Sequence, residues 1–287
     1  GSPSDAVREL GSVAEIRQAE QAAGAQLPVG TLMQRAGQSA ARIAIELAGV
    51  TIGQAPVRAV LVLAGPGNNG GDALEVAANL AQAGLDVTVV QIPCSGEPSP
   101  EALHALARAR ASTAEFTASI PPGGRWSLVV DGLFGIGLAR PVEGAARAMV
   151  EAINALDCPV LALDVPSGLD ADTGAVIGPG GAAVRATHTL TFIGDKPGLH
   201  TFTGRDYAGE VLVARVTDTG WTPLFAFAAA VVTDIGGQLS HPAVVARDEV
   251  LLAVLNDTSQ NRLGRLQQHD LPAHRPDAAP PAEGGEQ

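Results

Sequence analysis

The sequence is short of the features that small secreted domains and nucleic-acid-binding proteins need. Among its 287 residues are only two cysteines, Cys94 and Cys158, each beside a proline. A disulfide framework is therefore not expected. The formal net charge of −12 leaves no basic surface for a phosphate backbone, so we expect no nucleic acid as a partner. Any phosphate bound by this chain has to be held by local amide donors.

Long apolar segments are missing as well. No stretch approaches the roughly 18 uninterrupted apolar residues of a membrane span, and no signal peptide precedes the first predicted helix. With so little cysteine, a cytoplasmic protein that does not bind membranes is expected. Hydrophobic residues still make up 46% of the chain and charged residues 17%, which allows a sizeable buried core.

Lysine is almost absent, since all of the 18 basic residues except Lys196 are arginine. A GC-rich coding sequence explains the excess of arginine, and the one position that keeps lysine indicates that an ammonium group is needed there. Pro197 and Gly198 follow and predict a turn. We therefore expect Lys196 to point over a ligand cleft as a supporting residue.

Helical and strand patterns alternate along most of the chain. Ser12 and Glu15 form a capping box that opens a helix ending near Ala23, and Pro141 is expected in the first turn of a later helix. This alternation predicts an α/β fold with a three-layer α/β/α, Rossmann-like architecture, in which helices cover both faces of a mostly parallel sheet. The further helices are predicted over 31–47, 72–83, 101–111 and 141–156, and the strands over 57–64, 86–92, 127–131, 159–165, 187–193 and 209–216.

The segments that follow the predicted strands indicate where a ligand binds. In open parallel sheets, ligands lie beyond the carboxyl ends of the strands. Segments 65–72, 131–140 and 164–170 all follow predicted strands and are rich in Gly, Asp, Asn or Ser. Because these ends meet at one edge of the sheet, the sequence predicts a ligand site there.

Gly65, Gly67 and Gly70 form a G-x-G-x-x-G pattern between a strand and a helix, as in nucleotide-binding turns. The pattern lacks the Gly-Lys-Ser/Thr ending of a P-loop, and no acid that would hold a ribose stands at the end of the second strand, near 90–92. A conventional NAD-dependent dehydrogenase is therefore disfavoured. Two interpretations stay open: a tight turn with only a structural role, or backbone amides and a helix start at Asp72 that cradle a phosphate.

Several motifs agree jointly with one family. Over about residues 10–215, the sequence resembles the NAD(P)H-hydrate epimerases, the YjeF N-terminal domain family. Three positions depart from the family pattern: Gln34 replaces an acid, Ala73 a glycine and Ile136 a common threonine. The resemblance is carried by LMQRAG (32–37), GPGNNGGDA (65–73), DGLFGIGLARPVEG (131–144), LDVPSGLDADTG (163–174), AVRATHTLTFIGDKPGL (183–199) and GRDYAGEVLVA (204–214).

Members of that family interconvert the two C6 epimers of hydrated NADH and NADPH, so the resemblance implies an isomerase that repairs damaged nicotinamide cofactor. The C6 hydroxyl can leave with help from a general acid and give an iminium ion, and water can return to the other face with help from a general base. The family's acid before Pro-Ser-Gly corresponds to Asp164, which we expect to be catalytic and to stabilise the cation. The alternative is that Asp164 only caps the next loop.

The resemblance also implies the positions that bind ligands. Asn69, Asp131 and Ser167 match positions that hold a potassium ion, and amide, carboxylate and hydroxyl oxygens suit such a hard cation. Taken singly, Asp131 is equally suited to capping a loop and Ser167 to forming a turn. The implied substrate-binding positions are Asn68, Asn69, Gly70, Gly71, Asp72, Gly135, Ile136, Gly137, Leu138, Ala139, Arg140, Pro141 and Asp164.

Other polar residues have weaker patterns around them. Arg140 is suited to gripping a phosphate bidentately or to pairing with a nearby acid. His188 and His200 have no other ligand type at metal-binding spacing, so both are expected to be ordinary strand or loop histidines. The family resemblance also suggests a homodimer.

From about Leu212 the sequence resembles a different family, the mobile phosphohistidine domain of PEP-utilising enzymes. A G-G-x-x-S-H motif there ends at His241, but only a fragment of that domain is matched. We therefore expect an epimerase-like domain over 1–216, an appendage over 217–266 and a disordered, Pro- and Ala-rich tail over 267–287. Two alternatives to the epimerase stay open: a non-catalytic dinucleotide-binding or adaptor protein, and phosphotransfer through His241.

Overall fold

The computed structural model describes residues 10–50, 59–93 and 96–214. The predicted appendage over 217–266, the tail over 267–287, His241 and Cys94 lie outside the described residues. Cys158 is a free, partly buried thiol. Within the described ranges, no helix combines the length and apolar character that crossing a bilayer requires.

Strands and helices alternate through the described part of the chain. A single turn of 3-10 helix, Pro197–Leu199, precedes the last helix. The helices are α1 (Val13–Gly24), α2 (Thr31–Val50), α3 (Asn68–Gln82), α4 (Pro100–Ala111), α5 (Gly144–Asn154) and α6 (Gly204–Ala208). The strands are β1 (Ala59–Ala64), β2 (Asp86–Gln91), β3 (Glu115–Thr117), β4 (Leu128–Gly132), β5 (Val160–Leu163), β6 (His188–Phe192) and β7 (Glu210–Ala214).

The seven strands form one sheet in the order β3-β2-β1-β4-β5-β6-β7. Every pairing between neighbours is parallel, so the expected parallel sheet is confirmed. The order reverses at β1, whose neighbours are β2 on one side and β4 on the other. Such a switch point leaves a crevice at the carboxyl ends of the two central strands. Ala64 pairs with Gly132 at that edge, which brings the first and second predicted ligand segments side by side.

Helices cover both faces of the sheet, which confirms the three-layer architecture. On one face, helices α2, α3 and α4 pack against the sheet and contribute Met33, Ala77 and Ala105, among others, to the larger apolar core. On the other, Val150 and Ile153 of α5 pack with Leu61 and other strand residues. The buried strands read as continuous apolar runs because both of their faces are covered.

Helix α3 begins earlier than the predicted start at Asp72. Gly67 is its N-cap, and Asn68 is its first residue. The reason is close packing: a Cβ on Gly70 would lie 1.9 Å from the Gly65 carbonyl oxygen, so the chain turns back into a helix directly after Gly67. The asparagines and glycines of this segment are therefore part of the first turns of the helix and not of a loop.

The predicted helix over 141–156 is also shorter than expected, and proline is not in its first turn. Helix α5 starts at Gly144, after an N-cap at Glu143. Pro141 is instead exposed and lies against Gly178, while Val142 is buried beneath the same loop. Packing of this segment onto the 176–184 loop outweighs the preference of proline for a helix start.

One local signal is confirmed and one strand escaped detection. Ser12 and Glu15 form the predicted capping box of α1. The missed strand is β3, which has three residues and pairs only with β2. Three residues at an edge are too few to show an alternation of apolar and polar side chains.

Candidate active site

The first wall of the crevice is made of backbone, because glycine alone fits there. A Cβ on Gly65 would lie 1.7 Å from the Leu133 carbonyl oxygen, and Gly70 packs as closely on Gly65. This contact brings the amino end of α3 up to the loop that follows β4. Free amides at a helix start attract anions, so this wall is suited to a phosphate.

Asn69 lies in the first turn of α3 and is 8% exposed. Both polar atoms of its side chain, Oδ1 and Nδ2, are buried without a hydrogen-bond partner among the described residues. Buried amides are nearly always paired, so an unpaired one indicates that something absent from the protein chain completes the site.

Asp131 and Ser167 form a buried pair beside this wall. The Asp131 carboxylate accepts hydrogen bonds from the Leu133 amide at 3.2 Å, from the Ser167 amide at 2.9 Å and from the Ser167 hydroxyl at 2.7 Å. The Ser167 hydroxyl in turn accepts the Phe134 amide at 2.9 Å. Burial raises the pKa of Asp131 to about 6, against the opposing effect of the hydrogen bonds from Ser167. The network ties the loop after β4 to the loop after β5.

Asp164 follows β5 directly, with a φ of 68°. Its Oδ1 lies 2.7 Å from the Lys196 Nζ, and its Oδ2 accepts the Ile136 amide at 3.1 Å. Both carboxylate oxygens therefore have a donor. The side chain of Asp164 is 14% exposed, so one part of it remains open to the crevice.

Lys196 is not where the sequence suggested. The predicted turn at Pro197 and Gly198 forms, but the Lys196 side chain is fully buried and does not point over the cleft. It lies beneath Asp164, because the buried carboxylate and neighbouring carbonyl oxygens offer the ammonium group more partners than the crevice does.

Asp164 and Asn69 meet across Gly135. A Cβ at Gly135 would lie 2.7 Å from Asp164 Oδ2 and 3.4 Å from Asn69 Cγ. The carboxyl group, the unpaired amide and the amino end of α3 therefore share one crevice. The three predicted ligand segments do converge at this edge of the sheet.

Helix α1 adds acidic and basic groups that the sequence interpretation missed. Arg17 Nη2 lies 3.9 Å from the Cβ position of Gly137, which places α1 over the loop after β4. Burial, and then the charge of Asp164, raise the pKa of Glu20 on this helix. One signal was available in the sequence: Glu20 stands four residues after Ile16, on the face of α1 that is buried.

Asp72 completes the group of acids. Burial, followed by the charges of Asp164 and Glu20, raises its pKa well above the ordinary value. Carboxyl groups with perturbed pKa values that gather in a crevice are typical of sites that transfer protons.

The rest of the loop after β4 is more open. Gly137, Ala139, Arg140 and Pro141 are exposed, and Leu138 is partly buried and closes a turn onto the Gly135 carbonyl oxygen at 3.2 Å. Gly71 and Asn68 lie on the other side of α3, where Gly71 faces Met33 and Asn68 accepts the Ser99 hydroxyl.

Two histidines lie away from the crevice opening. His188 starts β6, at the opposite edge of the sheet, and contacts Glu210 at 3.6 Å. His200 holds both oxygens of Asp195, each at 2.8 Å, and so stabilises the turn that carries Lys196. Among the described residues there is no group of three or more His, Cys, Asp and Glu side chains arranged for a metal ion.

A parallel sheet with a switch point at β1 and a glycine-built helix start, faced by a paired carboxylate, defines a Rossmann-like α/β protein with a candidate site at the carboxyl ends of its strands. A family model described as the YjeF-related protein N-terminus matches residues 29–198, and the chain belongs to that family. A second model, the mobile domain of PEP-utilising enzymes, matches residues 207–259.

Curated relatives and a solved structure agree with this assignment. The chain is 45% identical over 202 residues to an NAD(P)H-hydrate epimerase of Achromobacter xylosoxidans, a match that covers 69% of this chain and 90% of the relative. It is 40% identical over 212 residues to a bifunctional NAD(P)H-hydrate repair enzyme of Leishmania braziliensis, covering 71% of this chain and 36% of that enzyme. The crystal structure of the yeast protein ynu0 has the same fold, with a TM-score of 0.61, 19% identity and coverage of 85% of this chain and 99% of that one.

Proposed function

We propose that this chain is an NAD(P)H-hydrate epimerase, an isomerase that interconverts the R and S forms of hydrated NADH and NADPH in cofactor repair. The observation that supports this proposal most directly is the meeting of Asp164 with Asn69 and the amino end of α3 across Gly135. Relatives of 45% and 46% identity carry the same activity in their names.

The reaction is the loss and return of the C6 hydroxyl. A proton given to the leaving hydroxyl lets the C6–O bond break, and the electron pair of the adjacent ring nitrogen forms an iminium ion. Water then adds to the opposite face and loses its proton to a base. Asp164 faces the ring, stabilises the cation with its carboxylate and takes part in the proton transfer. Because both of its oxygens are already held by donors, little reorganisation is needed when the positive charge develops.

The dinucleotide part of the substrate lies along the rim. The free amides of 68–70, at the start of α3, grip the pyrophosphate, and the loop over 135–141 covers the rest of the dinucleotide; the Gly71 amide already donates to the Gly67 carbonyl at 3.2 Å. Arg140 is exposed, and its guanidinium group is suited to binding a phosphate. Its positive charge compensates locally for the net negative charge of the chain. Ile136 donates its amide to Asp164, so the departure from threonine leaves that contact intact.

A potassium ion fits the oxygen set of Asn69, Asp131 and Ser167. Asn69 Oδ1 is buried without a partner, and a single carboxylate with amide and hydroxyl oxygens suits a monovalent hard cation. When bound, such an ion would supply positive charge to the site. The protein's own part is to hold these oxygens in place through the bonds between Asp131 and Ser167.

We expect a homodimer from the family resemblance. The low cysteine content favours the cytoplasm, and the net charge of −12 and the lack of long apolar runs favour a protein that binds neither nucleic acid nor membranes. Phosphotransfer through His241 stays a separate prediction, since the matched mobile-domain fragment spans that residue.

The test measures R-to-S exchange of hydrated NADH and NADPH by chromatography, with potassium chloride and with choline chloride at equal ionic strength. We expect exchange well above the spontaneous rate, faster with potassium. Asp164→Asn should lower kcat by about 10²–10⁴-fold with little change in ligand binding, because it removes the negative charge that stabilises the iminium cation. Asp157→Asn, an exposed acid, is the matched control.

Two results decide against the proposal. An unchanged spontaneous rate at high protein concentration excludes the enzyme. If ligand still binds under those conditions, the non-catalytic dinucleotide-binding or adaptor protein is the better description.

A further inference from the structure

Two neighbouring strands end in the same strained turn. Asp164 follows β5 with a φ of 68°, and Ile193 follows β6 with a φ of 69°. In each turn the next residue donates its amide to the carbonyl of the preceding one, at 2.8 Å and 2.7 Å respectively. Three-residue turns of this hand are rare, and positive φ is least favourable for a β-branched residue. Such conformations persist only where the surrounding structure holds them.

The ammonium group of Lys196 touches both turns. Its Nζ lies 2.7 Å from Asp164 Oδ1 in the first turn. In the second it donates to the Phe192 carbonyl at 3.0 Å and the Gly194 carbonyl at 3.2 Å, the two groups that flank Ile193. It also donates to the Thr191 hydroxyl of β6 at 2.5 Å. A fully buried cation therefore joins the two strained strand ends.

We propose that Lys196 is a positioning residue for the reaction: its ammonium group ties the two turns together and fixes the Asp164 carboxylate, while Thr191 fixes the ammonium group. This inference rests on the proposed epimerase function. Lys196 does not touch the substrate, since its side chain has no exposed surface and Asp164 stands between it and the crevice.

The chemistry of lysine suits this position better than that of arginine. Four oxygens lie within 3.2 Å of a single nitrogen, so all three N–H donors of the ammonium group have an acceptor and one of them is shared between two oxygens. A compact ammonium group fits this arrangement, and a planar guanidinium fork does not. This arrangement accounts for the retention of one lysine in a chain whose other basic residues are all arginine.

The arrangement benefits the reaction because it prepares the negative charge in advance. Lys196 holds Oδ1 of Asp164 and the Ile136 amide holds Oδ2, so each carboxylate oxygen has a fixed donor. A charge that is already oriented stabilises a developing cation without reorganisation during the reaction. Loss of the ammonium group should therefore lower kcat and leave the dinucleotide contacts, and hence KM, nearly unchanged.

The first experiment uses Lys196→Ala, assayed for epimer exchange with added ethylammonium chloride or choline chloride. We expect kcat to fall by about 100-fold, KM to change by less than about threefold, and ethylammonium to restore part of the rate by filling the space that the side chain left. Rescue by choline to the same extent, or an unchanged kcat, overturns the inference.

A milder pair of variants covers the case in which Lys196→Ala does not fold. Thr191→Val keeps the shape of the buried side chain but removes the oxygen that holds the ammonium group, whereas Thr191→Ser keeps the oxygen. We expect kcat to fall about tenfold in the valine variant, the size of a lost hydrogen bond to a charged group, and less than about twofold in the serine variant. Equal kcat values for the two variants contradict the inference.

A spectroscopic measurement separates this inference from the proposed function. In the full chain labelled with ¹⁵N-lysine, the only lysine should give a slowly exchanging ammonium signal that shifts in Asp164→Asn. If the wild-type chain does not accelerate the interconversion of the R and S epimers, the proposed function fails whatever the ammonium signal shows. If the chain does accelerate it, but the ammonium protons exchange rapidly with water or the signal does not shift in Asp164→Asn, the positioning role is wrong and the epimerase stands.

Discussion

Strand β6 has a buried charged contact at each of its ends, and the two contacts differ. At the carboxyl end, the Lys196 ammonium group reaches Asp164 at 2.7 Å and three further oxygens. At the amino end, His188 Nε2 and Glu210 Oε2 are 3.6 Å apart, and Glu210 Oε1 is buried without a partner among the described residues. One contact is fully satisfied and the other is not.

Burial of a charged group, as the two ends of β6 show, does not by itself mark a functional site. Burial raises the pKa of Glu210 to about 7 and lowers the pKa of His188, so the amino-end pair loses charge near neutral pH. At the carboxyl end, donors from several segments hold one carboxylate beside an unpaired amide. We use ligand edge for the edge of the sheet formed by the carboxyl ends of β1, β4 and β5. Independent segments converge on one group there, and this convergence, rather than a perturbed pKa alone, distinguishes the ligand edge from the amino-end pair.

The largest effect on stability is expected from Asp131→Ala at the ligand edge. The change leaves the Leu133 amide, the Ser167 amide and the Ser167 hydroxyl without their acceptor in a buried place. We expect the free energy of unfolding in urea to fall by about 3–5 kcal/mol. Asp86→Ala, an exposed acid at the amino end of β2, should change it by less than about 0.5 kcal/mol. Similar losses of unfolding free energy in Asp131→Ala and Asp86→Ala would show that the buried hydrogen bonds of Asp131 do not stabilise the ligand edge.

A smaller loss is expected where the ligand edge is made of backbone. In Gly70→Ala, the new Cβ would meet the Gly65 carbonyl 1.9 Å away, so the helix start has to move. We expect a loss of about 1–3 kcal/mol in unfolding free energy and a clear fall in dinucleotide affinity, measured by calorimetry. Gly67→Ala is the control in the same turn, because its Cβ would meet nothing within 4 Å. Retained affinity in Gly70→Ala would mean that the close approach does not shape the binding wall.

The smallest effect concerns Glu210 and depends on pH. Because its pKa is raised in the folded state, the neutral form contributes stability that is fully present below the ordinary value of 4.5 and lost as the pH rises toward about 7. Glu210→Gln removes this loss, so its stability relative to wild type should rise by about 1–2 kcal/mol between about pH 4.5 and 7.5. Because His188 contacts Glu210, the difference reports on the pair and not on Glu210 alone.

Thermal or urea unfolding over that pH range checks the Glu210 prediction. Glu151→Gln, on the exposed face of α5, serves as the control and should run parallel to wild type. A flat difference between Glu210→Gln and wild type would show that the amino-end pair keeps its charges, and the comparison between the two ends of β6 would then lose its basis.

Much of the fold follows from local signals. The alternation of apolar runs with amphipathic segments predicted the parallel sheet, and the capping box at Ser12 and Glu15 predicted the start of α1. The boundaries that failed, at Asp72 and Pro141, are those where loop packing sets the helix start. Local propensity is a weak term there, because close contacts with segments distant in sequence outweigh it.

The candidate site was predicted in part. The spacing of glycines and the polar segments after strands indicated at which edge of the sheet the candidate site lies, and the family resemblance implied Asp164, Asn69, Asp131 and Ser167. The buried course of Lys196 was not predictable, because its partners come from the ends of two different strands. Glu20 was missed for a similar reason: nothing in α1 alone shows that this helix lies over the crevice.

By itself, the order of residues determined which segments become strands, which edge of the sheet is rich in polar groups and where glycine is required. These depend on periodicity and on short-range sterics, which neighbouring residues decide. The packing of distant segments, in contrast, places one ammonium group between two strained turns, where it holds a carboxylate toward the crevice. That contact depends on burial and on acceptors brought together from distant parts of the chain, which no local pattern encodes.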